Sequence, residues 1–497
     1  PESCMTSSSY PLLYRLNTRI RQHELACEMS SSLTLNDWPD SEWERLAELG
    51  FDWVWLLGVW ETGKAGRHVS RTQPDWQAHF RACLPDLAEA DICGSCFAIT
   101  RYQVAENLGG NEALQQLRHK LNKRGLRLML DFVPNHTALD HPWVQTHPEF
   151  YLRGTPEDLQ RAPQNYIALA SSAAGTDQQI FAYGRDPYFD GWPDTLQLDY
   201  SNPAVQQAMR ETLLNIAGLC DGVRCDMAML LLPQVFERTW QRSITPFWLS
   251  TIAAVRKQFP DLLFLAEVYW DLEWTLQQQG FDYTYDKRLY DRLRDRVARP
   301  VRDHLTADIS YQRKLTRFLE NHDEPRAAAI FPPAVHQAAA IINYFAPGMR
   351  FFHAGQLEGK RISIPIHLCR GPVESADTEL NHFYQKLLQT LRNPLLRQGS
   401  WQLLECSPAQ ANDDTWKNFI AYRWQEKNGN ALLVIVNYAP LPGRCQLALT
   451  KPQPEMNDKN WCNLMQSDES IAVQTKIITQ LRFDLPAWGY QVLERYA

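Results

Sequence analysis

Apolar and polar positions alternate along this chain in a repeating order, helical period first and short dense apolar run second. Leu12 to Ile20 alternates apolar and polar residues and predicts a first strand. Asp40 to Leu49 predicts a helix, with Pro39 at its start and Gly50 at its end. Phe51 to Val59 is dense in aromatic and apolar residues, too short for a core helix and suited to a buried parallel strand. The succession then recurs. Asn111 to Lys123 leads into Leu126 to Val133, Pro203 to Leu219 into Val223 to Asp226, and Ile244 to Phe259 into Leu262 to Val268. Leu272 to Gln279 leads into Phe281 to Tyr285, Lys287 to His304 into Arg317 to Glu320, and Ala334 to Phe345 into Met349 to His353. Leu380 to Leu391 supplies a last helix.

Alternating strands and helices require parallel strands joined by right-handed crossovers. Eight such units fit a closed (β/α)8 TIM barrel better than an open sheet. Two stretches break the rhythm. Residues 137–199 are rich in Pro, Gly, Tyr and Trp without a clear period, and predict an irregular B domain inserted after the third strand. Trp60 to Asp91 is polar and irregular and predicts a loop or small excursion. Residues 396–497 carry short alternating runs separated by turn residues, as expected for a C-terminal antiparallel β-sandwich. The expected organisation is a short tail over 1–10, disordered or appended with Met5 as the native start. Barrel over 11–136 and 200–395, insert over 137–199 and β-domain over 396–497 complete it.

Composition narrows the function classes. A net charge of −7 speaks against nucleic acid or an anionic membrane as partner. No apolar run is long enough to span a bilayer, so no membrane partner is expected. Nothing at the N-terminus resembles a signal peptide, and the 11 Cys are odd in number and scattered, which fits free thiols in the cytoplasm. Cys93-Gly94-Ser95-Cys96 has no companion pair and is read as incidental thiols rather than a redox pair or half a zinc site. Oligomeric state is open.

The predicted strands end in charge. Arg224 and Asp226 lie two residues apart, so their side chains leave the same face of an extended strand. An isolated pair of this kind is usually structural. Yet Asp131, Glu267 and Asp323 also stand at strand ends, and a barrel gathers the C-terminal ends of its strands at one mouth.

Four stretches, Asp131-Phe-Val-Pro-Asn135-His136, Gly222-Val-Arg224-Cys-Asp226, Leu265-Ala-Glu267-Val and Glu320-Asn321-His322-Asp323, resemble in order and spacing the four sequence regions of the α-amylase family, glycoside hydrolase family 13. Leu196 to Pro203 and Pro347 to Phe352 resemble the family's exit from the B domain and its eighth strand. The resemblance implies a retaining α-glucan hydrolase acting on α-1,4 links of glycogen, starch or malto-oligosaccharides. It implies Asp226 as nucleophile, Glu267 as acid and base, and Asp323 as the third acid gripping sugar hydroxyls. Arg224 would keep Asp226 ionised, neighbouring carboxylates would raise Glu267, and His136 and His322 would donate to the reacting sugar. Asp131, Phe97, Tyr102 and Trp270 are further candidates for substrate contact. Asn135 resembles the family's calcium ligand, with Asp199 a weaker candidate, so a structural Ca2+ is an expectation.

Departures from the family pattern lie on the leaving side. Met227-Ala228-Met229-Leu230 stands where many amylases carry Ala-x-Lys-His, and Arg101 stands where an Asp is usual. Trp270 and Trp274 could supply stacking there instead, or simply pack the rim. An apolar leaving side keeps a glucanotransferase open as an alternative. A non-catalytic amylase-fold partner protein is a remote one, since all three acids are present and such proteins carry a membrane helix.

Overall fold

The computed structural model describes residues 10–170, 178–427, 429–448, 461–465, 470–471 and 480–495. The proposed tail therefore lies outside the described residues, Tyr10 excepted, as do residues 171–177 of the insert. Eight parallel strands close into a barrel in chain order. They are β1 (Leu12–Asn17), β2 (Trp53–Leu57), β3 (Arg127–Phe132), β4 (Gly222–Cys225), β5 (Leu263–Ala266), β6 (Tyr283–Tyr285), β7 (Leu315–Arg317) and β8 (Met349–His353). β1 pairs with both β2 and β8, which closes the cylinder. All residues of β2, β4, β7 and β8 are buried, as parallel strands covered on both faces must be.

Three of those buried residues are arginines, and their partners separate their roles. Arg350 donates to the backbone carbonyls of Tyr344, Tyr10 and Leu396 at 2.7–2.8 Å. Arg317 pairs with Asp286. Arg224 reaches three carboxylates, from β3, the end of β4 and the end of β5.

Several element bounds differ from the sequence expectation. β1 stops at Asn17 rather than Ile20, because the Asn17 side chain accepts from the N–H groups of Arg19 and Ile20 and caps a helix over Thr18–Met29. β7 precedes its expected place: Phe318 and Leu319 are buried apolar residues that lie beyond the ladder. Lys287 to His304 forms two helices, Lys287–Arg294 and Ala298–His304, parted at Arg296 with φ 61°. Within 60–91, Trp60–Thr62 pairs with Ile99–Val104 and is followed by helices Lys64–Thr72 and Pro74–Cys83.

The excursion after β3 begins with His136–Ala138, which pairs antiparallel with Thr195–Gln197, while Tyr166–Ala170 pairs with Gln178–Ala182. Gly184 lies under His136: a Cβ there would stand 2.7 Å from Thr195 Oγ1 and 3.0 Å from His136 Cβ. Only glycine lets the insert pack so closely against that histidine. C-terminal strands form a six-stranded antiparallel sheet around Ala431–Asn437 and a three-stranded one around Gly443–Ala448. Alternation explains the sandwich. Ala421, Leu433 and Ile435 face the smaller sheet, while Tyr422, Trp424 and Val434 face the barrel. Tyr422 and Trp424 donate to the carbonyls of Ile341, Ile342 and Phe345, capping the last turn of helix Pro333–Tyr344. Among the described residues no helix is long and apolar enough to cross a membrane.

Candidate active site

The floor of the mouth is one guanidinium. β4 lies between β3 and β5, with Arg224 beside Asp131 on one neighbour and Leu265 on the other. The ladder runs one residue past the strands: Asp226 N donates to Phe132 O at 2.8 Å, and Glu267 N to Cys225 O at 3.0 Å. These bonds fix the backbone under both carboxylates. Arg224 Nη1 then lies 2.7 Å from Asp226 Oδ1 and 3.4 Å from Asp131 Oδ1, and Nη2 lies 2.7 Å from Glu267 Oε2. Aromatic rings enclose the cation, with its carbon 5.0 Å from the Trp55 centroid, 5.4 Å from Phe97 and 5.8 Å from Tyr285.

Charge balance decides the protonation. Four buried or pocketed carboxyls face Arg224 and Arg15, so full ionisation would leave excess negative charge away from water. Burial pushes Asp131 up to about 6 against the pull of Arg224. Burial, opposed by Arg224 and reinforced by Asp226, pushes Glu267 up to about 7. Asp226 is raised by burial too, and Arg224 restrains it by charge and by hydrogen bond. Asp323 is pushed up to about 7 by the walls around it and then by Glu267, though 46% of its side chain is open to the mouth and solvent tempers that push. Burial thus raises both carboxyls held by the one cation, and takes Glu267, the candidate acid, up to about 7.

The structure brings most of the other sequence candidates to this mouth. His322 Nε2 is 3.2 Å from Asp323 Oδ2, and its ring stands edge-on to Trp55 and tilted over Phe97. Burial, with Arg15 and Arg224 nearby, holds His322 well below its ordinary value and therefore neutral. Burial lowers His136 to about 4; its ring leans on Trp192 at 5.3 Å. Trp270 packs edge-to-face on Tyr188 of the insert at 4.9 Å. Trp274 is half exposed and lies beside Tyr311 at 6.2 Å, on the rim. Tyr102 needs a correction. Its hydroxyl donates to Val133 O and accepts from Val133 N, so it braces the backbone after β3 and has no free donor for a sugar.

Residues that the sequence reading passed over complete the site. Trp55 donates to Asp131 Oδ2 at 3.1 Å and roofs Arg224. Tyr285 accepts from Arg224 Nε at 3.3 Å. Arg15 lies within hydrogen-bond distance of His353, at 2.5 Å. Tyr269 donates to Glu267 Oε1 at 2.8 Å. The signal for Tyr269 was the two-residue spacing that linked Arg224 with Asp226.

The calcium expectation fails on the donors present. Asn135 Nδ2 donates to Gln197 Oε1 at 3.0 Å, while Gln197 Nε2 donates back to Asn135 Oδ1 at 3.0 Å. Asp199 Oδ2 pairs with Arg242 at 2.7 Å, and its Oδ1 accepts from Ser201. An ion there would meet an amide N–H and a guanidinium where calcium needs about six to eight oxygens. The residues do not fit the ion.

Known proteins resemble this chain in sequence and in fold. The family described as alpha amylase, catalytic domain, matches residues 44–361. Alpha-amylase 3 of Dictyoglomus thermophilum is 22% identical over 293 residues, 56% of each chain. A trehalose synthase/amylase of Mycobacterium tuberculosis is 29% identical over 181 residues, 33% of this chain and 29% of that one. The matches thus span about half or less of the curated relatives' length. The structure of a maltogenic α-amylase from Thermotoga neapolitana superposes with a TM-score of 0.69 at 19% identity, covering 98% of this chain and 99% of that one, a likeness of fold.

Proposed function

Because the chain belongs to the α-amylase family, we propose that it is a retaining α-glucan hydrolase acting on α-1,4-glucosidic bonds of glycogen, starch or malto-oligosaccharides in the cytoplasm. One observation carries the reading: a single buried guanidinium holds Asp226 and Glu267, each at 2.7 Å, on its two terminal nitrogens. Carboxyls bridged in this way suit the spacing of about 5–5.5 Å that a retaining pair needs, rather than the about 6.5–9.5 Å of an inverting pair.

In the first step an oxygen of Asp226 bonds the anomeric carbon as the glycosidic C–O bond breaks. The proton of Glu267 passes to the leaving oxygen. In the second step water bonds the anomeric carbon, its proton passes to Glu267, and the bond to Asp226 breaks. Asp323 and His322, whose Oδ2 and Nε2 lie 3.2 Å apart, stand where they can grip hydroxyls of the reacting sugar, with Phe97 beneath. Reducing-sugar release from soluble starch tests the proposal. Wild type is expected to release it and Asp226→Asn to lose at least about 10⁴-fold. A folded wild-type enzyme inactive on every α-glucan would refute it.

A second reading is transfer to a sugar acceptor, and one feature favours it. Ala228, Met229, Leu230 and Leu231 are all buried, so the segment after Asp226 offers the leaving side no polar side chain. Products longer than the substrate, from pure maltotriose, would establish transfer.

A further inference from the structure

Glu267 is gripped unequally on its two oxygens. Oε2 accepts from Arg224 Nη2 at 2.7 Å and from the Met227 backbone N–H at 2.8 Å. Both are donors that cannot accept, so a proton on Oε2 would face two hydrogens. The proton a general acid delivers must therefore sit on Oε1. Among the described residues its one hydrogen-bond partner is the Tyr269 hydroxyl at 2.8 Å, and a phenol can donate or accept.

Backbone geometry shows that this clamp is built. Met227, whose N–H reaches Oε2, has φ 43° and ψ 48°, a left-handed conformation that a side chain disfavours. Immediately after Tyr269, Trp270 and Asp271 have φ 63° and 62°. Two unfavourable turns thus flank the carboxyl, one delivering the N–H and the other following directly on Tyr269. Asp271 is tied to Arg288, which anchors the second turn.

We propose that Tyr269 is a positioning residue for the acid of this reaction. Its hydroxyl donates to Oε1 when Glu267 is ionised and accepts from Oε1–H when it is protonated. It thereby holds the proton on the oxygen that gives it to the leaving group. The proposal rests on reading Glu267 as the acid. Besides Tyr269, the ionisable groups facing Glu267 are Arg224 and Asp226 from β4, Asp131 from β3, Tyr285 from β6 and Asp323 from the turn after β7. None of these touches Oε1 by a hydrogen bond among the described residues.

Tyr269→Phe keeps the ring and removes the hydroxyl. Two readouts are compared with wild type: the pH profile of kcat/KM on a malto-oligosaccharide, and the burst rate with α-maltosyl fluoride, whose departing fluoride needs no proton. Rates are taken per active site counted by the burst. Loss of a donor to the carboxylate is expected to move the alkaline limb up by about one pH unit. Oligosaccharide turnover is expected to fall about 10–100-fold and the burst rate less than about threefold. An unmoved limb, or equal loss on both substrates, overturns the role of Tyr269. Glu267→Gln, run alongside, separates the premise: if it retains oligosaccharide turnover, the acid assignment itself fails, and the role of Tyr269 with it.

Discussion

Arg224 Nη1 lies 2.7 Å from Asp226 Oδ1, two residues along the same chain, and both side chains are buried at the end of β4. The pair is the seam between stability and chemistry in this molecule. A buried cation is tolerable only because Asp131, Asp226 and Glu267 surround it, and those carboxyls are tolerable only because it is there.

Removal of the cation should therefore damage folding and activity together. Arg224→Ala leaves three carboxyls facing one another and is expected to cost about 3–5 kcal/mol of stability. Arg224→Lys is expected to recover part of the stability but little turnover, since an ammonium cannot span two carboxyls as a planar fork does. Thermal unfolding and kcat/KM on the same preparations check both statements.

The pH profile follows from the two carboxyls that burial raises. Glu267, raised to about 7, must be protonated to act, so kcat/KM should fall as pH rises through about 7. Asp226 must be ionised, and it is raised above 3.8, so the acid limb should lie above that value. Stability runs the other way from an ordinary ion pair. For Asp131, raised to about 6, the folded state binds the proton more tightly than the unfolded state does. Its contribution is therefore favourable when protonated and is lost as pH rises from about 4 through 6. Asp131→Asn should flatten that part of the curve of unfolding free energy against pH.

On the leaving side, the contact between Tyr188 and Trp270 joins the insert to the loop after β5. Trp270→Ala removes the ring that packs on Tyr188 of the insert. It is expected to raise KM for long malto-oligosaccharides about tenfold and to shift the product lengths, with little change for maltotriose. Chromatography of products from a defined oligosaccharide series reads the effect.

Chelation should do little. With Gln197 satisfying Asn135, and Arg242 holding Asp199, excess chelator or millimolar calcium is expected to leave the unfolding midpoint within about 1 °C. A chelator-induced drop of several degrees would show an oxygen cage that these side chains do not form. Arg242→Ala should cost under about 1 kcal/mol, because the arginine of that pair is half exposed.

Much of the barrel was legible in the apolar pattern, because parallel strands buried on both faces leave short uninterrupted runs. Met349–His353 agrees residue for residue. Errors fell where a polar side chain overrules the pattern or the pattern continues past the ladder. Asn17 turns a seeming strand into a helix start, and Phe318 and Leu319 remain buried after the pairing of β7 has ended. At the site, charged strand ends announced Arg224, Asp226, Glu267 and Asp323. Trp55 stayed hidden because a tryptophan in a buried run looks like core, and its N–H on Asp131 shows only in three dimensions. The partnership of Asn135 with Gln197 was equally silent, since the two meet only when the insert folds back.

The central claim is that Asp226 forms a covalent bond to the sugar while Glu267 moves the proton. Glu267→Gln incubated with α-maltosyl fluoride tests it most directly, because fluoride leaves unaided while the base that would release the sugar is missing. Mass spectrometry of the digested protein is predicted to find one maltosyl group on the peptide containing Asp226. A maltosyl group on another carboxylate, or rapid turnover without any adduct, would contradict the account.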